Sequence, residues 1–129
     1  MIIADSSAWI SLLRKDNVEV AAKLRSFIPR GLLLVSDIIL LEVLRGARDD
    51  RHARWIEQNF REFPVVGMLS PSLAIKAAGN YRKLRSKGIT IRKTADLIIG
   101  TYCIEHGHSL LHSDGDFLPM AEYLGLQIV

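Results

Sequence analysis

Short, wholly apolar runs alternate along the chain with longer segments in which apolar residues recur at helical spacing. The runs predict five buried strands, at residues 1–4, 32–35, 63–66, 109–112 and 126–129. Strands that are apolar throughout are typical of parallel sheets with helices on both faces. The pattern therefore predicts an α/β fold, with three α/β/α layers around a mainly parallel sheet.

The segments between the strands have recognisable helix ends. They predict helices at residues 8–14, 18–28, 38–45, 49–60, 71–87, 95–106 and 116–124. The candidate N-caps are Ser6 or Ser7, Asp16 or Asn17, Ser36 or Asp37, Asp49 or Asp50, Ser70 and Thr94. No repeat, linker or low-complexity tract interrupts the pattern, so we expect residues 1–129 to form a single domain.

Four acidic residues lie where the apolar runs stop, or within one. Asp5 and Asp114 follow predicted strands, Glu42 lies inside the apolar run 38–44, and Asp96 precedes another apolar run. Carboxylates are almost never fully buried unless they are paired or bind a metal. In parallel sheets the functional crevice lies beyond the carboxyl ends of the strands. Carboxylates gathered there would suit a hard divalent cation such as Mg²⁺.

Each acid taken alone has a simpler interpretation. Asp5 could cap the first helix, Asp96 could complement a helix dipole, and Asp114 could be a turn residue. Glu42 could form an ion pair with Arg45, three residues further along the helix. Glu42 is the hardest to dismiss, because its helix is expected to be buried on all sides and a lone buried carboxylate costs several kcal/mol. The conjunction of all four is stronger evidence than any one of them.

Composition excludes several classes of protein. Of the 129 residues, 49% are hydrophobic and 24% charged, as in an ordinary globular protein. Cys103 is the only cysteine, which excludes an internal disulfide and fits a reducing cytoplasm. No apolar run approaches the roughly 20 residues of a membrane span, and Asp5 interrupts the first apolar segment. We therefore expect a cytoplasmic protein without a membrane segment.

The charge distribution suggests a polyanionic ligand. Seventeen basic residues outnumber 14 acidic ones, for a formal net charge of +3. Two runs are basic: Arg45, Arg48, Arg51 and Arg54, then Arg82, Lys83, Arg85, Lys87, Arg92 and Lys93. An acidic metal pocket with a basic rim suits a polyanion that must approach metal ions. The alternative for each run is a solvated helix face.

Other chemistry finds less support in the sequence. His106, His108 and His112 have only a loose likeness to a zinc site, because they span a helix end, a turn and a strand. No G-x-S-x-G, Walker or dinucleotide glycine motif occurs. The aromatic residues on predicted helices favour packing or interface roles over base stacking; they are Trp9, Trp55 and Tyr81.

Four short segments together match a known pattern: residues 3–10, 36–46, 94–100 and 110–117. On these segments the chain resembles the PIN-domain ribonucleases, and among them the VapC-type toxins of toxin–antitoxin pairs. The resemblance covers essentially the whole chain in order. It implies a PIN-like fold, Mg²⁺- or Mn²⁺-dependent endoribonuclease activity on RNA, a homodimer and a cognate antitoxin.

The resemblance also implies the site residues. The catalytic and metal-binding carboxylates would be Asp5, Glu42, Asp96 and Asp114, with Asp116 as an accessory carboxylate and Ser7 as the hydroxyl that orients the acids. Asp5 and Asp96 are the best candidates for direct ligands, while Glu42 and Asp114 would act partly through water. We expect an antitoxin segment along helices 18–28, 38–45 and 49–60, which carry apolar surface that includes Trp55 and Phe60.

Two other classes of protein have to be distinguished from a PIN-domain ribonuclease. A response-regulator receiver would have a similar length and fold, but it needs paired acids after the first strand and a lysine near the last. The chain has a single acid after its first strand, and its final four residues contain no lysine. A non-catalytic RNA- or partner-binding PIN module would use the same cleft, and only a cleavage assay separates it from a nuclease.

Overall fold

The computed structural model describes all 129 residues. Five parallel strands form one sheet in the order β3-β2-β1-β4-β5. They are β1 (Ile2–Ala4), β2 (Leu33–Ser36), β3 (Val65–Val66), β4 (Ser109–Leu111) and β5 (Gln127–Ile128). The prediction of a parallel sheet from wholly apolar runs is confirmed, although every strand is shorter than predicted or has shifted ends.

Seven α-helices flank this sheet: α1 (Ser6–Arg14), α2 (Val18–Phe27), α3 (Asp37–Arg45), α4 (Asp50–Phe60), α5 (Pro71–Ser86), α6 (Thr94–His106) and α7 (Leu118–Leu124). Short 3₁₀ turns follow α2 and precede α7, at Ile28–Arg30 and Gly115–Phe117. The helices α1 to α4 pack among themselves, and α5 packs on α6 and α7. Right-handed crossovers place these two groups on opposite faces, which gives the predicted three-layer α/β/α arrangement.

The strand order reverses at the centre of the sheet. Strand β1 pairs with β2 on one side, where Ile2 is opposite Leu33, and with β4 on the other, where Ala4 is opposite Leu111. Chain connections leave β1 and β4 in opposite directions, so a crevice opens beyond their carboxyl ends. This switch point positions the candidate functional site.

Most of the predicted helix caps are present, but two are not. Ser36, Asp49 and Ser70 each accept a hydrogen bond from the backbone N–H three residues on, at 3.1, 2.7 and 3.1 Å. The cap of α1 is Asp5 rather than Ser6 or Ser7, and Thr94 is the first residue of α6 rather than its cap. An N-cap residue typically has extended backbone, and here Asp5 and Lys93 have it.

Two expectations about buried surface are wrong. Helix α3 is not buried on all sides, because only Ile39 and Val43 are buried and Leu41 is 60% exposed. As one element of an outer layer, α3 turns a single face towards the sheet. Phe60 is buried instead of exposed, because its ring packs edge-on against Trp9 with centroids 4.6 Å apart.

The core also fixes the state of the single cysteine. Cys103 is fully buried on α6, and burial raises the pKa of its thiol to about 12. The thiol therefore stays protonated and behaves as a small apolar side chain. None of the helices combines the length and the apolarity needed to cross a membrane.

Candidate metal centre

The predicted acidic residues converge at the switch point of the sheet. Asp5 directly follows β1, and Asp114 caps the 3₁₀ turn after β4. Asp96 lies in the first turn of α6, and Glu42 lies within α3. The charges of Asp5, Asp114 and Glu42 all raise the pKa of Asp96, so the four carboxylates are close enough to repel one another.

Asp5 is the most rigidly held of these carboxylates. It is 2% exposed, and its Oδ2 accepts hydrogen bonds from the Ser7 backbone N–H at 3.2 Å and from the Ser7 hydroxyl at 2.8 Å. Its own N–H donates to the carbonyl of Leu111 at 2.9 Å, which joins the end of β1 to β4. Burial raises the pKa of Asp5, although the bonds from Ser7 act in the opposite direction.

Ser7 connects the two strand ends. Besides donating to Asp5, its hydroxyl accepts a hydrogen bond from the Ser113 N–H at 3.0 Å. The Ser11 hydroxyl donates to the Ser7 carbonyl at 2.8 Å and lies 3.4 Å from the Ser113 hydroxyl. The sequence pointed to Ser7 but missed Ser11 and Ser113. Ser113 precedes Asp114, yet nothing in the sequence links it to a serine 106 positions away.

A second group of carboxylates lies opposite Asp5. Oxygen atoms of Asp96, Asp114 and Asp116 all lie within 4.8 Å of one another. The N–H of Asp116 donates to Oδ1 of Asp114 at 3.0 Å, which folds the turn so that both carboxylates approach Asp96. This spacing suits oxygen ligands that share one divalent cation. The geometry thus gives Asp116 a larger place in the cluster than the sequence indicated.

Glu42 is not neutralised by an ion pair. None of the four side-chain ion pairs in the structure includes it. Burial and the charge of Asp5 raise its pKa, while the Ser6 hydroxyl and the charges of Arg45 and Lys93 oppose the shift. The alternative of a structural Glu42–Arg45 pair therefore loses its support.

Among these carboxylates, Asp96 has the most strongly raised pKa. It is 3% exposed, and burial together with neighbouring negative charge raises its pKa from 3.8 to about 7. The lysine nearest the cluster, Lys93, opposes the shift only in part. Its Nζ lies 3.4 Å from Oδ2 of Asp114, in an ion pair that is exposed to solvent. Sequence reasoning grouped Lys93 with the basic run and did not assign it to the site.

Three carboxylate oxygens at this site are buried without any hydrogen-bond partner: Asp5 Oδ1, Glu42 Oε1 and Asp96 Oδ2. Buried polar atoms are nearly always paired, and an unpaired one costs about 1–3 kcal/mol or more when charged. Three in one crevice, on three separate elements, fit a divalent cation that would complete their coordination. The residues present therefore suit the metal that the resemblance implies.

The histidines do not take part in this cluster. His112 Nδ1 accepts the Asp114 N–H at 3.2 Å, and His106 Nδ1 lies 3.0 Å from the Tyr102 carbonyl oxygen. The only group of side chains with ligand spacing consists of aspartates. Structural zinc sites use cysteine and histidine ligands, and this group contains neither. The zinc alternative is not supported.

A parallel sheet with an acidic crevice at its switch point, whose carboxylates could hold a metal ion, defines the class of this α/β protein. Residues 2–123 match the family model described as the PIN domain, and the chain belongs to this family. VapC ribonuclease Mb1587 of Mycobacterium bovis is 30% identical in an alignment of 129 positions. The alignment covers 98% of this chain and 96% of that protein. Ribonuclease VapC11 of Mycobacterium tuberculosis matches with the same identity and coverage.

Solved structures agree on the fold. VapBC2 from Rickettsia felis, bound to a promoter DNA fragment, superposes with a TM-score of 0.76 at 15% identity and covers 100% of this chain and 98% of that chain. FitAcB from Neisseria gonorrhoeae also gives 0.76, at 18% identity over 99% and 96% of the two chains. The PIN-like fold is confirmed, and the receiver alternative is excluded by family membership.

Proposed function

We propose that this protein is a divalent-metal-dependent endoribonuclease that acts as the toxin of a toxin–antitoxin pair. The observation that carries the proposal is the set of three buried, unpaired carboxylate oxygens at the switch point. Its relatives of 30% identity are named as VapC ribonucleases and match it over nearly the whole chain. The basic surface on the helices beyond the acidic crevice suits RNA.

We propose the following roles for the site residues. Asp5, Glu42, Asp96 and Asp114 would hold Mg²⁺ or Mn²⁺, with Asp116 as an accessory carboxylate. A divalent cation bound there supplies the charge that polarises a phosphodiester and lowers the pKa of water. Ser7 holds Asp5 in one orientation through its two hydrogen bonds. Water attacks the phosphorus and the P–O3′ bond breaks, so the products carry a 5′-phosphate and a 3′-hydroxyl.

A cleavage assay tests this proposal directly. The purified protein should cut single-stranded RNA with Mg²⁺ or Mn²⁺ and should stop when EDTA is added. Asp5→Asn should lose this activity while keeping the circular dichroism and cooperative melting of the native fold. Asp16→Asn removes an exposed carboxylate outside the site and is the matched control. RNA binding without cleavage under either metal would favour the non-catalytic PIN module instead.

We also propose a cognate antitoxin, because one structural neighbour is a toxin–antitoxin complex from Klebsiella pneumoniae. An apolar groove of about 400 Å³ runs between α1, the end of α2 and α4. Its apolar walls are Trp9, Leu12, Leu13, Ile28, Trp55, Ile56, Phe60 and Phe63. An amphipathic helix of the antitoxin would fit this groove. None of the residues of α3 lines this groove, so the expected position of α3 along the antitoxin stays a prediction.

Genetic and hydrodynamic experiments test the partners. Expression of the protein alone in the cytoplasm should arrest growth, and the product of the adjacent gene should relieve the arrest. We further propose a homodimer, which would cover exposed apolar side chains such as Leu41. Sedimentation at micromolar concentration should then show a dimer. A folded monomer that is harmless when expressed would remove the toxin assignment and leave a PIN nuclease possible.

A further inference from the structure

A stacked aromatic pair lies at the start of α4, in a depression that none of the clustered carboxylates lines. Trp55 is 53% exposed although it is one of only two tryptophans in the chain. Its ring stacks on the ring of His52, with centroids 6.2 Å apart and planes inclined by 18°. Both residues line an open depression of about 610 Å³, together with Leu13, Arg48, Asp49 and Arg51.

Backbone contacts hold this pair in place. The Asp49 side chain caps α4 by accepting the His52 N–H at 2.7 Å. The imidazole Nδ1 of His52 in turn accepts the Arg48 N–H at 3.1 Å. The orientation of the imidazole is thus fixed from the loop before the helix, and Trp55 rests on a fixed ring. An aromatic surface that is rigid and half exposed loses little conformational entropy when a flat ligand stacks on it.

The charges around the pair suit a phosphodiester chain. Arg48 and Arg51 line the same depression and form no ion pair in the structure. Aromatic side chains for bases and guanidinium groups for phosphates are the combination that binds single-stranded nucleic acid. The one acid that lines the depression, Asp49, is engaged in the helix cap.

The depression also lies close to the acidic crevice. Glu42 and Arg45 are three residues apart on α3, so they lie one turn from each other on the same helix. Arg48 is three residues further along, and three residues span at most about 11 Å. A strand of RNA with one phosphate at the carboxylates can therefore extend to the aromatic pair within a few nucleotides.

We propose that His52 and Trp55 form a base-stacking subsite for single-stranded RNA, with Arg48 and Arg51 binding the adjacent phosphates. This inference rests on the proposed ribonuclease function and names the surface that binds the RNA flanking the cut. Trp55 also borders the apolar groove, so a partner protein is the rival occupant. The arginines on the exposed side of Trp55 favour RNA, because an apolar peptide segment would leave both guanidinium groups without a counter-charge.

Intrinsic fluorescence tests the stacking directly. Trp9 is 5% exposed and packed against Phe60 and Phe63, so quenching by a ligand reports on Trp55. In EDTA, where cleavage is suppressed, single-stranded oligoadenylate should quench the emission of the wild-type protein. Inorganic polyphosphate, which has charge but no bases, should bind without quenching. Equal quenching by both, or by neither, would overturn the proposal.

Substitutions then separate stacking from charge. Trp55→Leu should weaken oligoadenylate binding roughly 5- to 100-fold, the usual effect of losing one base–aromatic stack, and Trp55→Phe should restore most of it. Tyr123→Leu, at a 38% exposed aromatic on α7, is the matched control. Arg48→Ala and Arg51→Ala should each reduce the slope of log affinity against log salt concentration by about one, the amount expected for one lost phosphate contact. Arg54→Ala should not, because Arg54 does not line the depression.

Cleavage and quenching assays on the same protein separate the stacking subsite from the proposed ribonuclease function. A wild-type protein that cleaves RNA with metal, yet shows no base-dependent quenching, would overturn the subsite and leave the nuclease intact. A protein that neither cleaves nor binds RNA would remove both. If Trp55→Leu binds oligoadenylate like the wild type but is no longer neutralised by the adjacent gene product, Trp55 belongs to the protein groove and the proposal fails.

Discussion

The two halves of the acidic site are built in different ways. The half around Asp5 is buried and lies at the end of a central strand, with Ser7 joining β1 to the residue before Asp114. The half around Asp114 and Asp116 is a short 3₁₀ turn whose acids are more exposed, and its ion pair with Lys93 is open to solvent. We therefore expect the first half to be fixed in position and the second to adjust its carboxylates to an incoming cation.

This difference explains how the fold tolerates so much negative charge. The strand ends fix Asp5, and the pKa values of Asp5, Glu42 and Asp96 are all raised, so the metal-free site can lower its charge by binding protons. A cation would replace those protons and satisfy the unpaired oxygens. If the buried half dominates, substitutions there should have larger effects than substitutions in the exposed half.

The first substitution removes the carboxylate shared by both halves. Asp96→Asn should lower metal-dependent RNA cleavage roughly 100-fold or more, because charge stabilisation by bound metal amounts to several kcal/mol. The same variant should melt at a higher temperature than the wild type in EDTA near pH 8, because it relieves repulsion, and should gain less from Mn²⁺. Cleavage at the wild-type rate, or an undiminished rise in melting temperature with Mn²⁺, would contradict a shared site.

The second prediction concerns the rigid half alone. Ser7→Ala removes the hydroxyl that donates to Asp5 and accepts from Ser113, so cleavage should fall roughly 10- to 100-fold, as for other groups that orient metal ligands. Stability should fall by about 0.5–1.5 kcal/mol, the usual net contribution of one hydrogen bond, because the exposed Ser113 N–H exchanges its protein acceptor for water. Ser11→Ala is the control, because it breaks a bond to the Ser7 carbonyl and leaves the Asp5 contact intact. Equal losses of cleavage in both variants would show that Ser7 only stabilises the fold.

The third prediction uses pH. The pKa of Asp96 rises from 3.8 to about 7 on folding, so the folded protein holds this proton more tightly than the unfolded chain. The resulting stabilisation is fully present below about pH 4 and is lost as the pH rises through about 7. In EDTA, the melting temperature of the wild type should fall relative to Asp96→Asn across this window. Calorimetry that finds a constant difference, or one of opposite slope, would contradict the crowding of charge.

Part of this molecule could be predicted from its sequence because the decisive patterns are local. Wholly apolar runs indicated the parallel sheet, and parallel strands end on one edge, so Asp5 and Asp114 were expected to meet. Glu42 stands out in the sequence because its helix is expected to be buried on all sides, but that helix is exposed at Leu41. A pattern of apolar residues does not tell whether a helix face meets the core or another protein.

The rest could not be predicted because it depends on contacts between distant residues. The bond from Ser113 to Ser7 spans 106 positions, and only the pairing of β1 with β4 creates it. Asp116 joins Asp96 because a 3₁₀ turn brings it there, and turn type is hard to predict from residues that favour several turns. The role of Lys93 depends on where Asp114 lies, so composition could identify it only as one of many basic residues.

The smallest expected effect comes from the adjustable half. Lys93 lies 3.4 Å from Asp114 and competes with a cation for that carboxylate, so Lys93→Met should tighten metal binding. Exposed ion pairs contribute at most about 1 kcal/mol, which limits the gain to roughly fivefold. The Mn²⁺ concentration that gives half of the melting shift should fall accordingly, and the control Lys83→Met on α5 should leave it unchanged. Weaker metal binding in Lys93→Met would mean that Lys93 holds Asp114 in its binding position instead of competing for it. The turn would then be as preorganised as the strand end, and the contrast between the two halves would disappear.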